Sequence, residues 1–328
     1  MSVSPADLLR SGGLDPLEAL DASGPSIAAR SPLQLFWRRL RHDRVAMAAL
    51  GVIVLIGLVA ILAPLIVDLV GVPGPDVQNP NLSDAFGVPQ GPSGAHPFGV
   101  DTLGRDVLAR TLYGARVSLE VGLLATGIAV IVGIVVGLLA GFYRGWVDTL
   151  LSRFIDVFLS FPILLLALGL SSACQLGNGC LGGLLKPGLG TVVVVIAFVG
   201  WTYIARIVRG QVLTLREKEF VEASRSLGAS NRRIIFREIL PNLVAPIIVY
   251  ASVLIPQNIL FESALSFLGV GVTAPTPSWG AMIADASTIF DTAWWYMLFP
   301  GLGLLITVLA FNLLGDGLQD ALNPKDSR

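Results

Sequence analysis

Charge is scarce in this chain: Asp, Glu, Lys and Arg make up only 14% of its 328 residues, against about 25% in ordinary soluble domains. A water-soluble fold is excluded on that ground. Cysteine and histidine number two each, too few for a zinc ribbon, a His-rich metal site or a scaffold of several disulfides. The three lysines, Lys186, Lys218 and Lys325, all lack a preceding glycine, so there is no phosphate-binding Gly-x-x-x-x-Gly-Lys loop. Neither a His-Glu-x-x-His pair nor a Gly-x-Ser-x-Gly elbow occurs. The chain is therefore read as a non-enzyme with no catalytic residues, no metal and no cofactor of its own. A formal net charge of −1 and a pI near 6.1 exclude nucleic acid as a partner.

What is abundant is apolar surface: 54% of residues are hydrophobic and mean hydropathy is +0.75. Crossing about 30 Å of hydrocarbon takes roughly 20 apolar residues in a helix. Six stretches qualify, Val45 to Val67, Val121 to Tyr143, Val157 to about Ala173, Leu189 to Ala205, Ile239 to Phe261 and Thr292 to Gly315. A seventh, Ser263 to Ala284, is interrupted by Gly269, Gly271, Pro275, Pro277 and Gly280. It is expected to be an external loop or a re-entrant segment buried in protein. The fold class is accordingly all-α, an integral membrane protein with six transmembrane helices.

Placing the N-terminus inside puts eighteen of the 22 Lys and Arg in cytoplasmic segments and leaves Arg105, Arg110, Arg116 and Lys186 outside. The positive-inside bias thus predicts both termini in the cytoplasm. Residues 1–44 are expected to be a cytoplasmic tail leading into an amphipathic helix with Leu33, Phe36, Trp37 and Leu40 on one face. The first span covers 45–67 and an external loop 68–116. A core of five helices covers 117–316, including a cytoplasmic loop at 206–240, and a short tail 317–328 follows.

Three further patterns stand out. Gly133, Gly137, Gly141 and Gly145 recur every four residues, a ridge on which another helix can pack closely. Cys174 and Cys180 flank a short loop placed outside, either bridged or as two free thiols. Gln257, Asn258 and Glu262 make one end of the fifth span polar; either they line a solute path, or Glu262 sits at the outer interface, wetted or capping the loop that follows. An ion-coupled secondary transporter is the alternative reading, although such carriers bury more charge than this.

The loop from Arg206 to Leu240 is the most informative. Leu215, Val221 or Phe220, Ser224 and Leu227 recur at helical spacing, with Glu217, Lys218, Glu219, Glu222 and Arg225 on the wet side. Gly228 suits a C-terminal cap, and Ser230 or Asn231 can start the next helix. A short capped helix across the inner surface of a membrane protein is a docking element.

Glu222-Ala223-Ser224, Gly228 and Leu240-Pro241 resemble the coupling-loop signature of bacterial ATP-binding-cassette importer permeases, with Ser224 in place of a second alanine. His96-Pro97-Phe98-Gly99-Val100-Asp101-Thr102-Leu103-Gly104-Arg105-Asp106 and Ala264-Leu265-Ser266-Phe267-Leu268-Gly269 look like the C-type subunit of the dipeptide and oligopeptide branch. The resemblance implies a type I importer fold in the bacterial inner membrane. Its partners would be a second homologous permease subunit, two cytoplasmic ATPase subunits that use ATP and Mg, and an extracytoplasmic solute-binding protein. It assigns ATPase docking to Glu217, Phe220, Val221, Glu222, Ala223, Ser224, Leu227 and Gly228. Asp101, Arg105, Asp106, Arg110 and Arg116 would form the outer face toward the binding protein.

Overall fold

A computed structural model describes residues 32–84 and 87–322. The tail expected before Pro32, and Lys325 and Arg328, lie outside the described residues. The described chain is helical, with isolated bridges but no strands. Its helices are α1 (Pro32–His42), α2 (Arg44–Ile61), α3 (Ala63–Val70), α4 (Val107–Tyr143), α5 (Gly145–Ser160), α6 (Ile163–Gln175), α7 (Leu189–Leu215), α8 (Glu219–Ser226), α9 (Asn231–Phe267), α10 (Trp279–Ser287) and α11 (Trp294–Leu322). Five of these are long and apolar enough to cross a bilayer, namely α2, α4, α7, α9 and α11; the bent pair α5 and α6 makes a sixth crossing if counted together.

Helix boundaries follow local chemistry. Asp43 accepts from the amides of Val45 and Ala46 and so starts α2, while Asp106 accepts from Ala109 N and starts α4. Such caps satisfy amides that have no partner inside the helix. The span expected as one helix over 45–67 is divided at Leu62, because Pro64 supplies no amide to continue the ladder. The third span is corrected more strongly. Instead of a straight helix from Val157, α5 and α6 meet at 86°. Phe161 precedes Pro162 and is held extended, which ends the helix there. Residues 107–116, expected as loop, form the first turns of α4, and 317–322, expected as tail, complete α11.

The glycine ridge packs α4 on α7. A Cβ added at Gly133, Gly137 or Gly141 would stand 2.5, 2.7 or 2.7 Å from Ile204, Ala205 O or Val212 respectively, so the two helices approach backbone to side chain. Gly145 departs from the ridge: it has open space around it and φ +63°, and it serves the turn between α4 and α5. Further along α4, Gly122 lies against Ile259 of α9. The amphipathic α1 packs Leu40 and Phe36 against Ala46 of α2 and against Leu318 and Ala321 of α11, leaving Trp37 exposed beneath Arg41.

The bundle has two ends of different character. One carries the α4–α5 turn, α8 and the last turn of α11. The other carries the 71–106 loop, the Cys174–Cys180 loop and the segment from Leu268 to Ala293.

Candidate functional site

At the first end, α8 is anchored by one side chain. Val221 is fully buried with Val208 and Val212 of α7 and Ile234, Ile235, Ile239 and Leu243 of α9, which contributes roughly 1.5–3 kcal/mol for a buried aliphatic group. The stripe expected at Leu215, Val221 or Phe220, Ser224 and Leu227 is thus only partly a core stripe. Glu222 and Ala223 are exposed, Ser224 is half-buried, and Phe220 and Leu227 are 39% and 89% exposed. Gly228 closes the helix at φ +78°; its amide donates to Arg225 O, and Ala229 N donates to Ser224 O at 3.0 Å. That left-handed conformation is the one the sequence pattern predicted. Ser230, rather than Asn231, caps the next segment, accepting from Arg233 N. Glu217 lies just before α8 and pairs with Arg144.

Sequence reasoning missed how this end is tied together. Arg216 Nη1 donates to Phe142 O at 2.5 Å, fastening the segment between α7 and α8 to the end of α4. Arg209 makes two bonds to Asp148, at 2.5 and 2.9 Å, and Arg206 reaches Asp156 at 2.5 Å, joining α7 to α5. The signal was present: Asp148, Ser152 and Asp156 are four residues apart and form a polar stripe on α5 opposite the Arg206 and Arg209 face of α7.

At the second end, four of the five residues expected on the outer face are turned inward. Asp101 and Asp106 are fully buried, and Arg105 and Arg110 nearly so. Asp101 Oδ2 accepts from Arg105 Nε at 2.6 Å, and Oδ1 accepts from the amides of Leu103 and Arg105 at 2.9 Å each. Arg110 Nη1 donates to Pro75 O at 3.0 Å and lies 3.6 Å from Asp76, while its Nε is 3.6 Å from Asp101. His96 Nδ1 meets Asp106 Oδ2 at 2.8 Å. These are struts of the 71–106 loop, not a solvated rim. A charge with a matched buried partner is tolerated where a lone one is not. Arg116 alone is exposed, pairing with Glu120 along α4.

Glu262 is likewise internal, with 0% exposure, and not wetted at an interface. Its Oε1 accepts from Ser266 at 2.6 Å and its Oε2 from Ser118 of α4 at 3.3 Å and Ser263 at 3.4 Å. Ser266 Oγ in turn accepts from Val272 N, drawing the chain after α9 back over the carboxyl. Cβ atoms at Gly271 and Gly280 would stand 2.0 and 2.2 Å from Ser266 and Ser263. On the other side Gln175 Nε2 donates to Val270 O and Gly271 O at 2.5 and 2.7 Å. The seventh apolar stretch is therefore a knot folded back on the end of α9, with 271–272 and 277–280 buried and 267–269 and 274–276 exposed.

Of the three residues expected to line a path, Glu262 stands apart, while Gln257 and Asn258 line one cavity. Glu262 is in the knot, and Asn258 is buried, donating to Thr126 at 2.8 Å. Gln257 is the exposed one of the three, and the cavity it lines with Asn258 lies between α6, α7 and α9. Cys174 and Cys180 are disulfide-bonded. No cluster of His, Cys, Asp and Glu suited to a metal ion occurs among the described residues.

Residues 133–327 match the family described as binding-protein-dependent transport system inner membrane component, and residues 31–86 match the N-terminal transmembrane domain of oligopeptide transport permease C. The chain belongs to this permease family. It is 41% identical to the dipeptide transport system permease protein DppC of Alkalihalophilus pseudofirmus, over 90% of this chain and 91% of that one. Identity to the glutathione transport system permease protein GsiD of Escherichia coli is 42%, with the same coverage of each. The fold is similar to that of an inward-facing MetNI methionine ABC transporter, at a TM-score of 0.54 and 20% identity, covering 65% of this chain and 96% of that one. The permease is thus a multi-pass inner-membrane protein and the membrane-spanning subunit of an ATP-binding-cassette importer. The ion-coupled carrier reading is left without support.

Proposed function

We propose that this permease forms half of a translocation path for dipeptides or short oligopeptides, with α8 as the handle by which separate ATPase subunits drive it. The observation that carries the reading is the construction of α8. One face is pinned by Val221, while Phe220, Glu222, Ala223 and Leu227 face outward, with Gly228 closing the end. An exposed apolar residue beside an exposed carboxylate on a short helix suits a protein partner better than water. The likeness to permeases named for dipeptide and glutathione transport supports a peptide cargo.

In this scheme a second homologous permease completes the path and two cytoplasmic ATPases bind ATP and Mg. An extracytoplasmic binding protein delivers the solute. Both termini and α8 lie in the cytoplasm, with the disulfide loop outside, where oxidising conditions maintain the bond. Movement of α8 reaches the spans by two routes: through Val221 into the shared core of α7 and α9, and through Arg216 into the end of α4.

The test is peptide uptake into vesicles holding the whole complex. Uptake that requires ATP and persists when ion gradients are collapsed supports the proposal. Uptake that survives nucleotide depletion overturns it.

A further inference from the structure

The cavity between α6, α7 and α9 measures about 300 Å³, at the lower end of the roughly 300–1,000 Å³ usual for small-molecule sites. Its walls are mostly apolar, including Ile196, Leu254 and Phe261, with a polar group set of Thr202, Tyr203, Gln257 and Asn258. Two of these are spoken for. Thr202 donates to Val199 O within α7, and the Asn258 amide donates to Thr126. Gln257 and the Tyr203 side chain are exposed into the space.

The position of Gln257 is the informative part. It lies about 15 Å along the helix from Phe267 and about 25 Å from Leu240, well inside the membrane-spanning length of α9. From Val244 onward the exposed positions of α9 are Val244, Ile248, Gln257, Leu260 and Phe267. Four suit lipid or an apolar neighbour; the amide does not, because hydrocarbon offers it no hydrogen bonds. Gln257 must therefore face water, solute or a polar partner. No ionisable side chain other than the Tyr203 phenol lines the same cavity.

Resting on the peptide-permease reading above, we propose that this cavity is one half of the solute chamber and that Gln257 and Tyr203 bind peptide backbone amides. A glutamine side chain offers both a donor and an acceptor, matching the N–H and C=O of a peptide unit. Because the lining is uncharged, it holds cargo without discriminating by side-chain charge. That leaves sequence tolerance to this site and selectivity to other parts of the importer.

The disulfide makes the experiment clean: with Cys174 and Cys180 bridged there are no free cysteines among the described residues, and the sequence has no others. In proteoliposomes of the whole complex, Gln257→Cys and Tyr203→Cys should react with a membrane-impermeant charged thiosulfonate. Dialanine should slow that reaction. Ile248→Cys, an exposed position nine residues before Gln257 and so about 180° around the helix from it, should react only with a lipid-soluble maleimide. In parallel, uptake of radiolabelled Ala-Ala, Lys-Ala and Glu-Ala should fall about five- to tenfold in Gln257→Leu, the scale of one neutral hydrogen bond. The fall should be similar for all three probes, and Gln257→Asn should restore part of it. If the Gln257→Cys variant reacts only with the lipid-soluble reagent, or if Gln257→Leu transports all three probes at the wild-type rate, the assignment is overturned. Wild-type complex that takes up none of these peptides with ATP would instead overturn the cargo reading, whatever the accessibility result.

Discussion

The two ends of this bundle use charge in opposite ways. At the Asp101 end, carboxylates and guanidinium groups are buried and matched to one another, and the Glu262 carboxyl is surrounded by serine hydroxyls. At the Gly228 end, Glu217, Glu222 and Arg225 are exposed and the helix is held by one valine. Buried polar networks specify a single arrangement, since each group left alone costs its full desolvation. An element with few buried contacts opens or shifts at low cost. The Asp101 end is built to stay as it is, and at the Gly228 end the exposed face of α8 suits the docking role proposed for it.

The contrast can be broken by substitution, the largest effect coming from the Asp101 end. Asp101→Ala leaves Arg105 and Arg110 without their shared buried carboxylate, a loss of about 3–5 kcal/mol for a broken buried pair. Thermal unfolding of the detergent-purified protein should show a strong downward shift, and an unchanged midpoint would deny the network its structural role. Glu262→Leu should cost about 2–3 kcal/mol by leaving serine hydroxyls unsatisfied, and Glu262→Gln distinctly less. Faster proteolysis within the segment after Phe267 would report the loosened knot, and equal stability of the two variants would contradict the cage.

At the Gly228 end the expected stability changes are smaller and the functional ones larger. Gly228→Val places a β-branched side chain in the left-handed region, at a local cost of about 1–2 kcal/mol. The subunit should still insert and unfold nearly as wild type, yet ATP hydrolysis should no longer yield uptake. Wild-type transport in this variant would remove the cap from the coupling route. Leu227→Asp, at a side chain 89% exposed, should leave the unfolding midpoint within experimental scatter. Co-purification of the ATPase subunits should fall sharply, and undiminished co-purification would show that Leu227 is not in the contact.

Hydropathy runs identified the all-helical fold and most of the spans, because the cost of unpaired backbone in hydrocarbon leaves few alternatives to a helix. The Gly228 cap was readable for a local reason: a helix stop and its left-handed residue depend on a few adjacent positions. The break at Phe161 was equally local, since Pro162 was in plain view, but apolar content masked it. The glycine ridge showed that α4 packs closely against something without showing that the partner is α7.

Other features had no local signature. Asp101, Arg105, Asp106 and Arg110 are expected on the outer face toward the binding protein, and it takes tertiary contacts, such as Arg110 to Pro75 O 35 positions away, to turn them inward. Glu262 meets Ser118 across 144 positions. Exposure on α8 was ambiguous for a related reason: a period of about 3.6 marks an apolar stripe whether it packs on its own core or on another protein. Composition and short-range pattern thus settled which segments are helical, where they are capped and that they live in a bilayer, since those depend on solvent and neighbouring residues. Which carboxyls are enclosed, which glutamine faces a cavity and which face of α8 is left bare were decided by the packing of distant segments, because burial belongs to the assembled bundle and not to any stretch of it.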